Sequence, residues 1–315
     1  MGFDQLLGNE QLKENLRSAA QKGRLSHFYL ISGPEGSGKH TLARLLSAAL
    51  LCGGNHRPCM GCNACRKVMA NTHPDLITVT DPEHKNVAVR LVREMRDDMF
   101  IRPNEGEKKI YLLPQELGIE GQNALLKILE EPPSYGVFIL LTDSPEKLLP
   151  TVRSRATELR LQGLPREVLR TQLQKDFPQA DEESLEAAMD RSGGYLGQAK
   201  TILEQGDGVS EQTENFLNAF AHKDAVLLTT TLVAMERLNR DKLLLELTVW
   251  AEHLQQALVC RSGSKVALKG ARDLAAARSS AELLSALRCV QKSMDYLQGN
   301  VSGAAICGYL AWALR

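Results

Sequence analysis

Seven consecutive residues, Gly33-Pro34-Glu35-Gly36-Ser37-Gly38-Lys39, carry the densest chemical pattern in the chain. Glycines spaced this way let a loop wrap closely around phosphate oxygens with its N–H groups turned inward, and a lysine at its end reaches the terminal phosphates. The bland alternative is a glycine-rich turn followed by a chance lysine. Context favours the phosphate loop. An apolar run, Phe28 to Ile31, leads into it, and a helical pattern, His40 to Leu51, leads out, so a helix N-terminus adds partial positive charge. The full pattern places Ser or Thr directly after the lysine to ligate Mg²⁺. Here that position is His40, and Thr41 stands one residue later, about 100° around the helix. ATP or ADP is therefore expected at Gly33, Gly36, Ser37, Gly38, Lys39, His40 and Thr41, without ordinary Mg²⁺ handling.

A second pattern lies just beyond. Cys52, Cys59, Cys62 and Cys65 fall within fourteen residues, with Gly53, Gly54, Pro58 and Gly61 supplying tight turns. Two interlocked Cys-x-x-Cys steps and a fourth cysteine suit a tetrahedral thiolate site, which reads as Zn²⁺. Redox thiols, an iron–sulfur cluster and coincidence are the alternatives. His56 has no Glu partner at a useful spacing, and four sulfurs leave no open position for substrate. The expected role is structural.

Phosphate-loop ATPases also need carboxylates at a strand tip, one for Mg²⁺ and one for the attacking water. The strand Lys109 to Leu113 instead runs into Pro114-Gln115, with Glu116 and Glu120 farther on. Neutral Pro and Gln neither neutralise a metal nor take a proton. Catalysis would require Glu116 to swing back to the tip, and phosphoryl transfer depends heavily on positioning.

The elements that must hold these residues are legible as well. Short apolar runs at Phe28–Ile31, Leu76–Val79, Ile110–Leu113, Val137–Leu141 and Ala156–Leu161 alternate with helical spacing. This predicts an α/β domain built on a parallel five-stranded sheet. After Leu164-Pro165 the spacing is helical to the end. Asp241 is a candidate cap for a helix bearing Leu244, Leu247, Ala251, Leu254 and Leu258, and Ser279 with Glu282 forms a capping-box pair before Leu284, Leu287, Met294 and Leu297. Gly299 is the expected stop. The stretch Glu204-Gln205-Gly206-Asp207-Gly208 reads as a linker. The division is 1–163 α/β, with the zinc module at 52–65, then 164–206 a small helical domain and 207–315 a larger one. No internal repeat or low-complexity tract stands out.

Composition narrows the function. The 315 residues, 43% hydrophobic and 24% charged, suit a globular chain of two or three domains. Lys plus Arg and Asp plus Glu are 38 each, which excludes a strongly basic nucleic-acid binder; 5% aromatic content adds to that. No apolar run approaches a membrane span. The opening MGFDQLLGNEQ has no signal pattern, and Leu6 stands where a myristoylation motif wants Ser or Thr. A cytoplasmic protein is expected. Cys260, Cys289 and Cys307, scattered among apolar residues, read as core.

Several segments together resemble one family: Phe3-Asp4-Gln5-Leu6-Leu7-Gly8-Asn9-Glu10, His27-Phe28-Tyr29-Leu30, the glycine loop and the cysteine cluster. Asn123-Ala124-Leu125-Leu126-Lys127-Ile128-Leu129-Glu130-Glu131-Pro132-Pro133 and Ser154-Arg155-Ala156 extend the likeness. They are similar to the bacterial clamp-loader AAA+ subunits of DNA polymerase III over roughly residues 3–205. The resemblance implies an AAA+ domain, an all-α lid and an all-α collar that assembles with gamma/tau and delta subunits. It also implies action on a sliding clamp and primed DNA through the complex. The Ser-Arg-Cys motif of the family, here Ser154-Arg155-Ala156, implies that Arg155 reaches into a neighbour's ATP site; by spacing alone it is a surface arginine beside Arg153 and Arg160. Thr142 stands where the family senses the γ-phosphate, and equally reads as a strand-end threonine. No second sensing arginine occurs in Gly194-Tyr195-Leu196-Gly197-Gln198-Ala199. The leading expectation is a non-motor subunit without intrinsic ATPase activity. The alternatives are a gamma/tau-like motor using Lys39, with Thr41 or Glu116 compensating, and a zinc-bearing nucleic-acid module.

Overall fold

The computed structural model describes residues 2–205, 210–263, 268–299 and 301–314. Gly206, Asp207 and Gly208 of the expected linker lie outside the described residues. The chain divides into two compact units, one of Met1–Pro178 with Met189–Thr201, the other of Gln179–Ala188 with Ile202–Arg315.

The first unit is an α/β layer structure. Its elements run α1 (Glu10–Gln21), β1 (Phe28–Ser32), α2 (Lys39–Leu51), α3 (Asn63–Met69), β2 (Leu76–Thr78) and α4 (Val89–Asp98). They continue as β3 (Lys109–Leu113), α5 (Ile119–Glu130), β4 (Gly136–Thr142), α6 (Pro150–Arg153), β5 (Thr157–Arg160) and α7 (Arg166–Asp176). Helix α8 (Glu182–Arg191) falls mostly in the second unit, and α9 (Leu196–Gln205) begins in the first. The five expected strands form one parallel sheet in the order β2-β3-β4-β1-β5. Strands β1 and β4 are buried along their whole length because both faces of the sheet are covered. Side-chain alternation splits β1 between two cores. Tyr29 and Ile31 join Leu42, Leu45 and Leu46 of α2, whereas Phe28 and Leu30 join Val92 and Met95 of α4 and Leu125, Ile128 and Leu129 of α5.

The parallel arrangement brings the carboxyl ends of β1, β3 and β4 to one edge. Ser32 pairs in register with Thr142, so the glycine loop after β1 leaves the sheet beside the residue that follows β4. Open α/β sheets place ligand crevices at such an edge.

The second unit is helical: α10 (Glu211–His222), α11 (Ala225–Met235), α12 (Arg240–Arg261), α13 (Lys269–Ala277), α14 (Ser280–Gln298) and α15 (Gly303–Ala313). Ser210, Asp224, Asn239, Ser279 and Ser302 cap five of these, each side chain accepting from a first-turn N–H. Its core stacks Trp250 on Phe216, with ring centroids 3.9 Å apart. The indole N–H donates to Thr213 Oγ1 at 2.9 Å. The capping box of Ser279 and Glu282 and the stop at Gly299 form as expected. Two details differ. Helix α12 starts at Arg240 with Asn239 as its cap, donated to by Lys242 N, and not at Asp241. Both residue types cap well, and the chain turns at the earlier one. On α14, Leu284 is 41% exposed and Leu283 takes the buried place, because adjacent residues lie about 100° apart and only one of the two meets the core stripe.

Candidate functional site

The glycine loop bridges β1 and α2, and Gly38 caps the helix with φ 95°. Residues Gly36 to Thr41 line a cavity of about 760 Å³. Its other walls are Gln5, Leu6 and Leu7, Pro114, Asp143, and Tyr195, Leu196, Gly197 and Lys200. Lys39 does not project into open space. It is 9% exposed, and Nζ donates to Gly33 O at 2.6 Å, to Pro34 O at 2.8 Å and to Asp143 Oδ1 at 2.5 Å. An ammonium has three N–H donors, so these contacts use its full capacity. Burial, with Lys39 and Arg44 close by, lowers the pKa of His40 below its usual value of 6.5, opposed by Asp143.

The segment before α9 closes on the loop from the other side. Gly197 N–H donates to Gly36 O at 2.9 Å. Gly36 has φ 73°, and a Cβ there would stand 2.4 Å from Gln198 N. Only glycine permits this approach. Ser37 Oγ is the one buried side-chain polar atom lacking a hydrogen-bond partner among the described residues.

The strand tip after β3 is committed elsewhere. Gln115 Nε2 donates to Asp81 O at 3.1 Å, to Lys85 O at 2.8 Å and to His84 O, while Oε1 accepts from Asp81 N at 2.9 Å. Glu116 faces Lys147 at 3.4 Å, in a small separate cavity that also contains Thr142. Thr142 Oγ1 accepts from Ser144 N at 3.1 Å. Sequence reasoning groups Gly36, Ser37, Gly38, Lys39, His40 and Thr41, and all six line this cavity, with Gly33 behind them. It puts Thr142 at the right strand end, but the side chain lies outside this cavity. It missed Asp143, one residue on, because nothing in local spacing marks a partner 104 residues from the lysine.

The four cysteines converge at the other end of α2. Cys52 is the C-cap of α2, and Cys62 is the N-cap of α3, accepting from Cys65 N. All four sulfurs lie within 4.8 Å of one another, and Cys52–Cys62 and Cys59–Cys65 are both 4.0 Å apart. A tetrahedral zinc with Zn–S near 2.3 Å requires sulfurs about 3.8 Å apart. Backbone N–H groups of Gly54 and Cys59 point at Cys52 Sγ, and those of Cys62 and Cys65 at Cys59 and Cys62 Sγ. Such donors stabilise thiolates. Those from Cys62 and Gly61 bring Cys59 down to about 6, whereas burial raises Cys52 and Cys65. The donor set fits a closed thiolate metal site, with no position for substrate. Gly2 packs beside it: a Cβ on Gly2 would lie 2.3 Å from Pro58 O.

Arg155 follows α6 and lies outside the glycine-loop cavity. Its Nη1 donates to Thr151 O at 2.8 Å and its Nη2 to Glu130 Oε1 at 2.8 Å.

The sequence profile of a family described as DNA polymerase III, delta subunit, matches residues 8–165, half of the chain. The chain belongs to this clamp-loader family. Among its relatives, DNA polymerase III subunit gamma of Buchnera aphidicola is 31% identical over 248 residues, covering 74% of this chain and 68% of that one. DNA polymerase III subunit gamma/tau of Mycobacterium tuberculosis is 32% identical over 211 residues, 64% of this chain. The chain matches only 36% of the length of that relative. A solved structure of a DNA polymerase III gamma subunit-related protein from Thermotoga maritima aligns over 97% of this chain and 100% of its own, at 21% identity and TM-score 0.45. Within this clamp-loader chain, the parallel α/β unit and the helical remainder have the fold class expected from the sequence. No helix among the described residues is long and apolar enough to cross a membrane.

Proposed function

We propose that this chain is a non-motor clamp-loader subunit of the delta-prime kind, which does not hydrolyse ATP and lends Arg155 to the ATP site of a neighbouring motor subunit. The observation that carries this reading is the state of Lys39, whose three donors are taken by Gly33 O, Pro34 O and Asp143. A γ-phosphate would have to displace all three. Gln115 is tied to residues 81–85 and Glu116 faces Lys147, so neither is held at the loop to orient an attacking water. A guanidinium offers planar, multidentate donation to phosphate oxygens, and such fingers are worth roughly 10³–10⁵ in rate. On this reading residues 164–206 form the lid and 207–315 the collar that joins gamma/tau and delta subunits. Sliding clamp and primed DNA are engaged through the complex, in the cytoplasm. Zn²⁺ at Cys52, Cys59, Cys62 and Cys65 is structural.

The motor reading draws support from the gamma and gamma/tau relatives, and Ser37's unpaired hydroxyl favours some affinity for a phosphate group. Reconstitution separates the two. With motor and delta subunits, clamp and primed DNA, Arg155→Ala is expected to depress ATP turnover strongly, while the isolated wild-type chain turns over negligible ATP. Motor-like turnover by the isolated chain, abolished by Lys39→Ala, would establish the motor reading instead.

A further inference from the structure

Arg155 does not hang freely from its turn. Val152 is fully buried beneath it, and Ala156 packs on the same core, so the backbone at 155 is fixed. Thr151 O accepts from both Ser154 Oγ at 3.2 Å and Arg155 Nη1 at 2.8 Å. Glu130 Oε1 takes Nη2 from the other side, leaving three of the five guanidinium N–H donors without a partner among the described residues.

Glu130 is the last residue of α5 and follows Leu129, which is 2% exposed; Pro132 and Pro133 stop the helix just beyond. Helix stability alone does not account for a carboxylate here. The C-terminal end of a helix carries partial negative charge and prefers cations. A cation held against it answers both the carboxylate and the exposed carbonyls. Two acceptors on two different elements, α5 and α6, fix the plane of a planar group, which one acceptor cannot do.

We infer that Glu130 is a positioning residue for Arg155, clamping the guanidinium between its carboxylate and Thr151 O so that the remaining N–H edge faces outward toward an anion. This rests on the trans-finger reading above and names what pre-sets it. Pre-setting matters because a misplacement near 1 Å costs about 10²-fold in rate when a group must meet a transition state.

The test is a double-mutant cycle in the reconstituted complex with motor subunits, clamp and primed DNA. Glu130→Ala is expected to lower the kcat for ATP roughly tenfold with KM for ATP little changed, and Glu130→Gln, which keeps an acceptor oxygen, to recover most of that loss. In an Arg155→Ala background, Glu130→Ala is expected to cost nothing further. Equal losses with and without Arg155 would show that Glu130 acts on the fold, and would overturn the inference. So would an unchanged kcat for Glu130→Ala while Arg155→Ala is impaired, which leaves the finger reading standing. An unimpaired Arg155→Ala complex would remove both.

Discussion

Helix α2 carries a candidate site at each end, and the two ends are in opposite states. At the N-terminal end the ligand-seeking group, Lys39, is neutralised by the protein's own carbonyls and by Asp143. At the C-terminal end four sulfurs crowd within 4.8 Å of one another, and those of Cys52, Cys59 and Cys62 accept backbone N–H groups. One end pairs its cation with two backbone carbonyls and one carboxylate of its own; the other gathers four sulfurs in an arrangement that fits an external cation. A motif's spacing shows what a site is built like, while the partners of its charged atoms show whether it still needs a ligand.

The contrast can be broken most forcefully at the cysteines. Metal analysis under reducing conditions is expected to find about one zinc per chain. Cys62→Ser or chelation is expected to lower Tm by about 10 °C or more, since structural thiolate sites supply folding free energy outright. A metal-free chain that melts at the same temperature would make the two ends alike.

Next in size is the closure of the loop. Gly36→Val places a Cβ 2.4 Å from Gln198 N at a positive φ and is expected to destabilise by about 2–3 kcal/mol in denaturant titrations. Gly53→Ala meets nothing within 4 Å and should stay within about 0.5 kcal/mol. Equal behaviour of the two variants would mean that the approach of Gly197 to Gly36 is not maintained in solution.

A smaller effect sharpens the same end. Asp143→Asn removes the negative charge that faces the loop lysine. Because Asp143 is more than half exposed, its ion pair is worth about 1 kcal/mol, so ADP affinity measured by calorimetry is expected to rise about fivefold. An unchanged affinity would mean that Asp143 does not compete with phosphate.

The smallest effect is on pH dependence. Burial lowers the folded-state pKa of His40 and of His73 below 6.5. Above that value both folded and unfolded forms are neutral and stability is flat. As the pH falls below it, the unfolded chain takes up protons first, so stability declines until the folded histidines titrate. His40→Asn should flatten the slope below pH 6.5; an unaltered slope would place the effect on other groups.

The sequence revealed the central strands β1 and β4 because each is a short apolar run buried on both faces, whereas the edge strands β2 and β5 are partly exposed and leave a weaker signal. It revealed the loop and the cysteines because both are local in sequence. It did not reveal Asp143 or Gly197, whose roles arise from pairing across the sheet edge and from a backbone approach of another segment, neither of which leaves a periodic trace. Pro114 and Gln115 predict a strand tip without a carboxylate, and the amide of Gln115 holds residues 81–85. The cap at Asn239 instead of Asp241 is a two-residue shift, and the buried leucine at 283 instead of 284 a one-residue shift, each between nearby residues of equivalent type.

The contact of Gly2 with Pro58 O has a mechanical outcome. The short turn Gly2–Gln5 begins against the cysteine loop and runs directly into Gln5, Leu6 and Leu7, which form the doorway of the glycine-loop cavity. As a single turn of 3-10 helix, Gly2–Gln5 joins the two places over about 8 Å of chain. The same short N-terminal turn therefore packs against the cysteine loop at its start and lines the glycine-loop cavity at its end, so the two candidate sites share one threshold of chain.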